Sequence, residues 1–127
     1  MQPTFRSQRD WEQAEILMQP ALIRILDHLR QAMETSAWRG TYQEVQDPYP
    51  GHQLILEDQG QTVVFSLWEL CFQVCFADYQ PQAPVAQVVA IDSKLLTAEQ
   101  EVDWRALDHK AKYLIDAIFA ELAAKGA

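Results

Sequence analysis

Two periods of hydrophobic repetition divide the chain. From about Asp10 to Met33, the residues Trp11, Ala14, Met18, Ala21, Leu22, Ile25, Leu29, Ala32 and Met33 recur at three- and four-residue steps, one face of a helix. Ile16, Leu17, Ile23 and Leu26 widen that stripe beyond what one neighbour covers, so this helix is expected to touch more than one. Asp10 with Gln13 has the spacing of a capping box, and Ser7 is a rival cap. Pro20 interrupts the pattern. It removes the bond to the Ile16 carbonyl and so predicts a kink, or two helices with Pro20 in the first turn of the second.

After Gly40 the period shortens to two. Thr41 to Gln46 reads as a weak strand, and Asp47, Pro48, Tyr49, Pro50 and Gly51 as a loop, since prolines cannot continue a ladder. His52 to Glu57 and Gln61 to Leu67 are β-branched, apolar runs that should pair as a hairpin across Asp58, Gln59 and Gly60. Apolar parity then changes, from odd-numbered Val63, Phe65 and Leu67 to even-numbered Trp68, Leu70, Phe72, Val74 and Phe76. A strand changes parity only through an extra residue, which predicts a bulge or corner near Leu67 to Glu69 and a further strand to about Asp78. The competing reading is a helix from Leu67, because Ser66 and Glu69 also have capping-box spacing.

Tyr79 to Pro84 is an extended connector, and Val85 to Ile91 a final strand, apolar on both faces and therefore central. Asp103 can cap a closing helix to Ala124 whose stripe is Trp104, Leu107, Ala111, Leu114, Ile118 and Leu122, with Ile115 and Phe119 beside it. Thr97 and Gln100 suggest a short turn before it. The order is helix, strands, helix, without the β/α alternation of a parallel doubly wound sheet. The expected fold is a single α+β domain over 1–127: an antiparallel sheet of four to five strands, with the N- and C-terminal amphipathic helices packed on one face.

Size and composition agree with one core: 127 residues, 49% of them hydrophobic. No apolar run approaches the roughly 20 residues that cross a bilayer, and the polar start of the chain is unlike a signal peptide. Cys71 and Cys75 are too few for a disulfide scaffold, so a reducing cytoplasm is the expected setting. The net charge of −8 argues against nucleic acid as a partner. Its distribution says more. Between Gly40 and Ser93 there is no Lys or Arg, while Glu44, Asp47, Glu57, Asp58, Glu69, Asp78 and Asp92 all fall there. That is a solvated surface aiding solubility, or a patch that steers a basic partner.

Residues arranged for chemistry are scarce. Gly40, Gly51, Gly60 and Gly126 lie too far apart for a dinucleotide fingerprint or phosphate loop. His28, His52 and His109 have no second ligand at helical spacing, and Asp108 points away from its neighbour His109 on a helix. Neither a metal nor another cofactor is expected. Cys71 and Cys75 would stand about 13 Å apart on a strand, whereas on a helix they would share a face and could form a redox pair. Ser66 has no glycine elbow. Trp11, Trp68 and Trp104 fall on predicted apolar faces and are expected in the core. Trp38 and Tyr42, after the first helix, and Tyr49, held between prolines, are rigid aromatics of the kind interaction surfaces use. With Glu57, Asp58 and Asp78 they form the expected partner-binding set.

Binding rather than catalysis is therefore expected: a protein-binding, assembly or regulatory module for a basic protein, or for a second copy of the chain. The alternative is a small-molecule domain, with or without activity, whose pocket lies between sheet and helices, since Trp68 to Phe76 is rich in large apolar side chains. In size, acidity and element order the chain resembles the small acidic secretion chaperones, which are dimeric α+β proteins. That resemblance implies partner binding and names no residues.

Overall fold

Ser7 starts the first helix. Its hydroxyl accepts from the Asp10 backbone N–H at 3.2 Å and donates to the Asp10 carboxylate at 2.9 Å, so Ser7 is the cap and Asp10 completes its first turn. The computed structural model describes residues 4–5, 7–46, 50–80 and 88–125. In chain order these form β1 (Thr4–Phe5), α1 (Gln8–Glu34), β2 (Arg39–Val45), β3 (Gly51–Asp58), β4 (Gln61–Ser66), α2 (Leu67–Cys75), β5 (Val88–Val89), a short 3₁₀ turn (Ser93–Leu95) and α3 (Trp104–Lys125). The fold is α+β, with helices near both ends as expected. Pro20 lies inside α1, which is assigned as one helix.

Leu67 to Cys75 is a helix, not a strand. The Ser66 hydroxyl accepts from the Glu69 N–H at 3.4 Å and ends β4 as it starts α2, so the parity change marks a strand-to-helix junction rather than a bulge. Leu67, Leu70, Cys71, Val74 and Cys75 are all buried, at spacings of three, four, seven and eight. Strict alternation would have put Cys71 and Val74 on opposite faces. Nearly every position from Leu67 to Phe76 is apolar, so both periods fit; the cap marks where the helix begins, and the packing of its buried face selects it.

Among the described residues the antiparallel sheet has three strands, in the order β2-β3-β4, where four to five were expected. β3 and β4 meet in a two-residue turn where Gln59 (φ 48°) and Gly60 (φ 82°) are both left-handed, matching the right-handed twist of the strands. Of the expected central strand, 85–87 lie outside the described residues. Val88 and Val89 pair in parallel with Thr4 and Phe5, a separate two-stranded ribbon. Val88 is exposed and Val89 buried, so one face of this segment meets the core. An isolated antiparallel bridge joins Phe76 to Ile91.

The register sets which face of the three-stranded sheet is inside. Leu54 stands between Tyr42 and Phe65, and Leu56 between Gly40 and Val63. Leu54 and Leu56 are fully buried, with α2 against β3 and β4. The terminal helices pack mainly on α2 and on each other, rather than lying side by side on the sheet. They reach it at the margins: Met33 covers Gly40, where a Cβ would collide with its sulfur, and Ile118 and Leu122 approach β4. Asp103 caps α3 as expected, accepting from the Ala106 N–H at 3.1 Å, and Thr97 and Gln100 form the turn before it.

Candidate interaction surface

Among the described residues no helix lies on the outward face of the sheet. Thr41, Gln43, Thr62 and Val64 are exposed there, and Gln53 and Ile55 half-buried between them. Both outer strands, β2 and β4, pair only with β3 among the described residues. Antiparallel sheets tolerate one wet face, but two open edges are templates for added strands unless charge or covering elements block them.

The six expected binding residues separate. Trp38 is 4% exposed and belongs to the core, with its backbone N–H donating to the Ser36 hydroxyl at 3.1 Å, so it is not a surface aromatic. The short turn after α1 folds the indole inward, and nothing local in the sequence distinguishes that from an outward turn. Tyr42 is 47% exposed on β2, its phenol pushed up in pKa by partial burial. Tyr49 lies outside the described residues. Glu57 is exposed and Asp58 half-buried at the hairpin end, where they border a depression of about 450 Å³ shared with Arg39 and Gly60. Asp78 follows α2 and accepts from the Ala90 N–H at 3.1 Å, away from that depression. Trp11 and Trp104, expected in the core, are 44% and 51% exposed; each sits at a helix start, beyond the tightest packing.

The acidic middle is partly compensated by residues outside it. Arg39 stands directly opposite Glu57 in the β2/β3 register. Asp92 receives Lys110 Nζ at 2.7 Å; burial pushes this carboxyl up, but Lys110 together with the backbone N–H and charge of Lys94 holds it below its ordinary value. Glu44, Glu57 and Asp58 form no ion pair within 4 Å among the described residues.

A groove of about 430 Å³ lies where β4, α2 and α3 meet. Phe65, Leu70, Ile118 and Leu122 supply its apolar lining, and Glu69, Gln73 and Glu121 its polar groups. Glu69 and Gln73 share a helix face at i and i+4, a pairing hidden when the segment is read as a strand.

A polar cluster between α1 and α3 was also not legible as one. His28, 7% exposed, places Nε2 at 2.8 Å from Asp108 Oδ1, and Arg24 Nε donates to the same oxygen at 2.6 Å. Arg24 and Arg30 both donate to Asp27, at 3.0 and 2.9 Å. This ties α1 to α3 without a nucleophile or a cleft, and reads as structural. Burial pushes the Asp108 carboxyl up, but Arg24 and His28 together hold it below its ordinary value. A depressed carboxyl stabilises above its unfolded value, about pH 4, and loses that contribution as pH falls through the folded value. Asp108→Asn should therefore cost about 1 kcal/mol at pH 7, as expected for a partly exposed pair. Urea melts should show the gap to the parent chain narrowing below about pH 4; a gap independent of pH would remove the ion pair from the account.

No group of three or more His, Cys, Asp or Glu among the described residues could hold a metal, and no helix there is long and apolar enough to cross a membrane. The chain matches no protein-family model, no curated protein and no solved structure.

Proposed function

We propose that this chain is a non-enzymatic protein-binding module that receives a basic partner on its three-stranded sheet. One observation carries the reading: the sheet leaves a whole face open and both outer strands unpaired on their far sides among the described residues, with Glu57 on that face, Glu44 and Asp58 at opposite ends of the sheet, and none of the three in an ion pair there. An extended segment added to β2 would gain main-chain hydrogen bonds, with Tyr42, half exposed on the α2-facing side of that edge, as an apolar anchor and the acids as the charge that selects it. The buried thiols suit a reducing compartment, which agrees with a cytoplasmic setting.

The test is retention of native-extract proteins on the immobilised full chain. A basic partner should be lost as salt rises, and Tyr42→Ala and the pair Glu57→Lys with Asp58→Lys should each weaken retention about ten-fold. Retention indifferent to both variants and to salt defeats the proposal.

The groove between β4, α2 and α3 supports a second reading, a small-molecule site with an apolar floor and acidic rim. A thermal-shift screen separates the two. A metabolite that raises the melting temperature of the parent chain but not of Leu122→Trp, which fills the groove, supports the small-molecule site.

A further inference from the structure

The helix α1 is apolar on two opposite faces, and among the described residues only one of them is buried throughout, Leu26 alone reaching from the other to the edge of the core. At 100° per residue, Ala14, Leu17, Ala21, Ile25 and His28 cluster on one side and are all buried. Glu12, Ile16, Gln19, Ile23, Leu26 and Arg30 recur at steps of four and three on the other side, the 3.5-residue spacing of a coiled-coil seam. Ile16 is 43% and Ile23 50% exposed, Leu26 is half-buried, and Glu12, Gln19 and Arg30 are exposed; Arg30 donates to Asp27 and Glu34 on its own helix at 2.9 and 3.0 Å, and an incoming Glu12 would add to or exchange with these exposed pairs.

The order of residues along this stripe names its partner. An acidic residue stands at one end and a basic residue at the other, with aliphatic side chains between them. Laid antiparallel on itself about a two-fold axis at Ala21, the stripe matches Glu12 with Arg30, Ile16 with Leu26 and Gln19 with Ile23, each twice. A parallel arrangement would set Glu12 against Glu12 and Arg30 against Arg30. Glu15 and Asp27, at matching heights, fall on opposite flanks of the stripe and so do not face each other across the antiparallel pair. Gln19, the polar member of the seam, favours this register over shifted ones.

We infer that α1 is a homodimerisation helix: a second copy of this chain covers the Ile16, Ile23 and Leu26 face in antiparallel, two-fold contact, with Glu12 and Arg30 pairing at both ends. The surface is separate from the sheet, which stays open for another partner in each copy.

Sedimentation equilibrium of the full chain tests the inference. The parent should be a dimer that dissociates on dilution, and Ile23→Glu should be monomeric at every concentration used, with unchanged far-UV circular dichroism because Ile23 is half exposed and lies outside the core cluster. Glu12→Arg and Arg30→Glu should each weaken the dimer about ten-fold, since each change acts at both ends of the pair, and the double variant should return to within about three-fold of the parent. The reciprocal rescue holds the test even where Ile23→Glu disturbs folding. A parent chain that stays monomeric, a dimer unaffected by Ile23→Glu, or a double variant weaker than either single one would each overturn the inference.

Discussion

An aromatic disulfide reagent added to the native chain at pH 8 should find no fast-reacting thiol, and both cysteines should react once the chain is unfolded. Cys71 and Cys75 have no exposed surface. Burial pushes the Cys71 thiol up to about 12, and the Cys75 thiol higher still. For Cys75, the neighbouring Cys71 adds to the effect of burial, and Lys110 only partly offsets it. The thiolate is the attacking species, so native reaction should be slower than that of an ordinary cysteine by about a thousand-fold from ionisation alone, before the lack of access is counted. The i and i+4 spacing on α2 does bring the two residues to one helical face, as a redox pair would need. Their surroundings deny that pair both a thiolate and a route for an oxidant. One rapidly labelled cysteine in the folded chain would show that α2 does not seal this face, and the redox reading would return.

The second large effect concerns the sheet. Leu54→Ala should destabilise the chain by about 3 kcal/mol, while Ile55→Ala, one residue along the same strand, should cost less than about 1 kcal/mol. Leu54 is fully buried between Tyr42 and Phe65 on the face that meets α2. Its truncation removes buried methyl groups and leaves a cavity that fixed neighbours on three sides cannot close. Ile55 is half-buried on the open face, between Thr41 and Val64, where water fills any lost volume. Chemical denaturation with both variants reads the contrast directly. Equal costs at the two positions would mean that the outward face is covered in solution, and the proposed binding surface would lose its ground.

The two proposals divide the molecule between them. The sheet offers acids and open strand edges to a basic segment, whereas α1 offers a self-complementary stripe to a second copy. Failure of one leaves the other standing, because β2 and the Ile16 to Leu26 face share no residue.

Much of the fold was legible wherever a short stretch of chain decides its own conformation. The hairpin follows from two apolar runs meeting at Gln59 and Gly60, a place where only positive φ closes a two-residue turn. The start of α3 follows from Asp103, which binds a backbone N–H three residues on. The width of the α1 stripe was visible too, since helical spacing alone shows that Ile16 and Ile23 lie away from Ala14 and Leu17.

Other features had no local signature. In Leu67 to Phe76 nearly every side chain is apolar, so periods of 2 and 3.6 fit alike, and only the docking of Leu70, Cys71, Val74 and Cys75 into a common core selects the helix. Once that segment leaves the sheet, the strand count falls, the cysteines meet on one face, and Glu69 and Gln73 become neighbours. Trp38 turns inward and Trp11 outward because burial depends on which elements arrive from elsewhere in the chain. His28 and Asp108 lie 80 residues apart, and their pairing exists only because α1 and α3 are packed together. Capping, turn chemistry and periodicity act over a few residues and are written in order along the chain. Burial and ion pairing depend on what the folded chain brings alongside, and tertiary structure alone decides them.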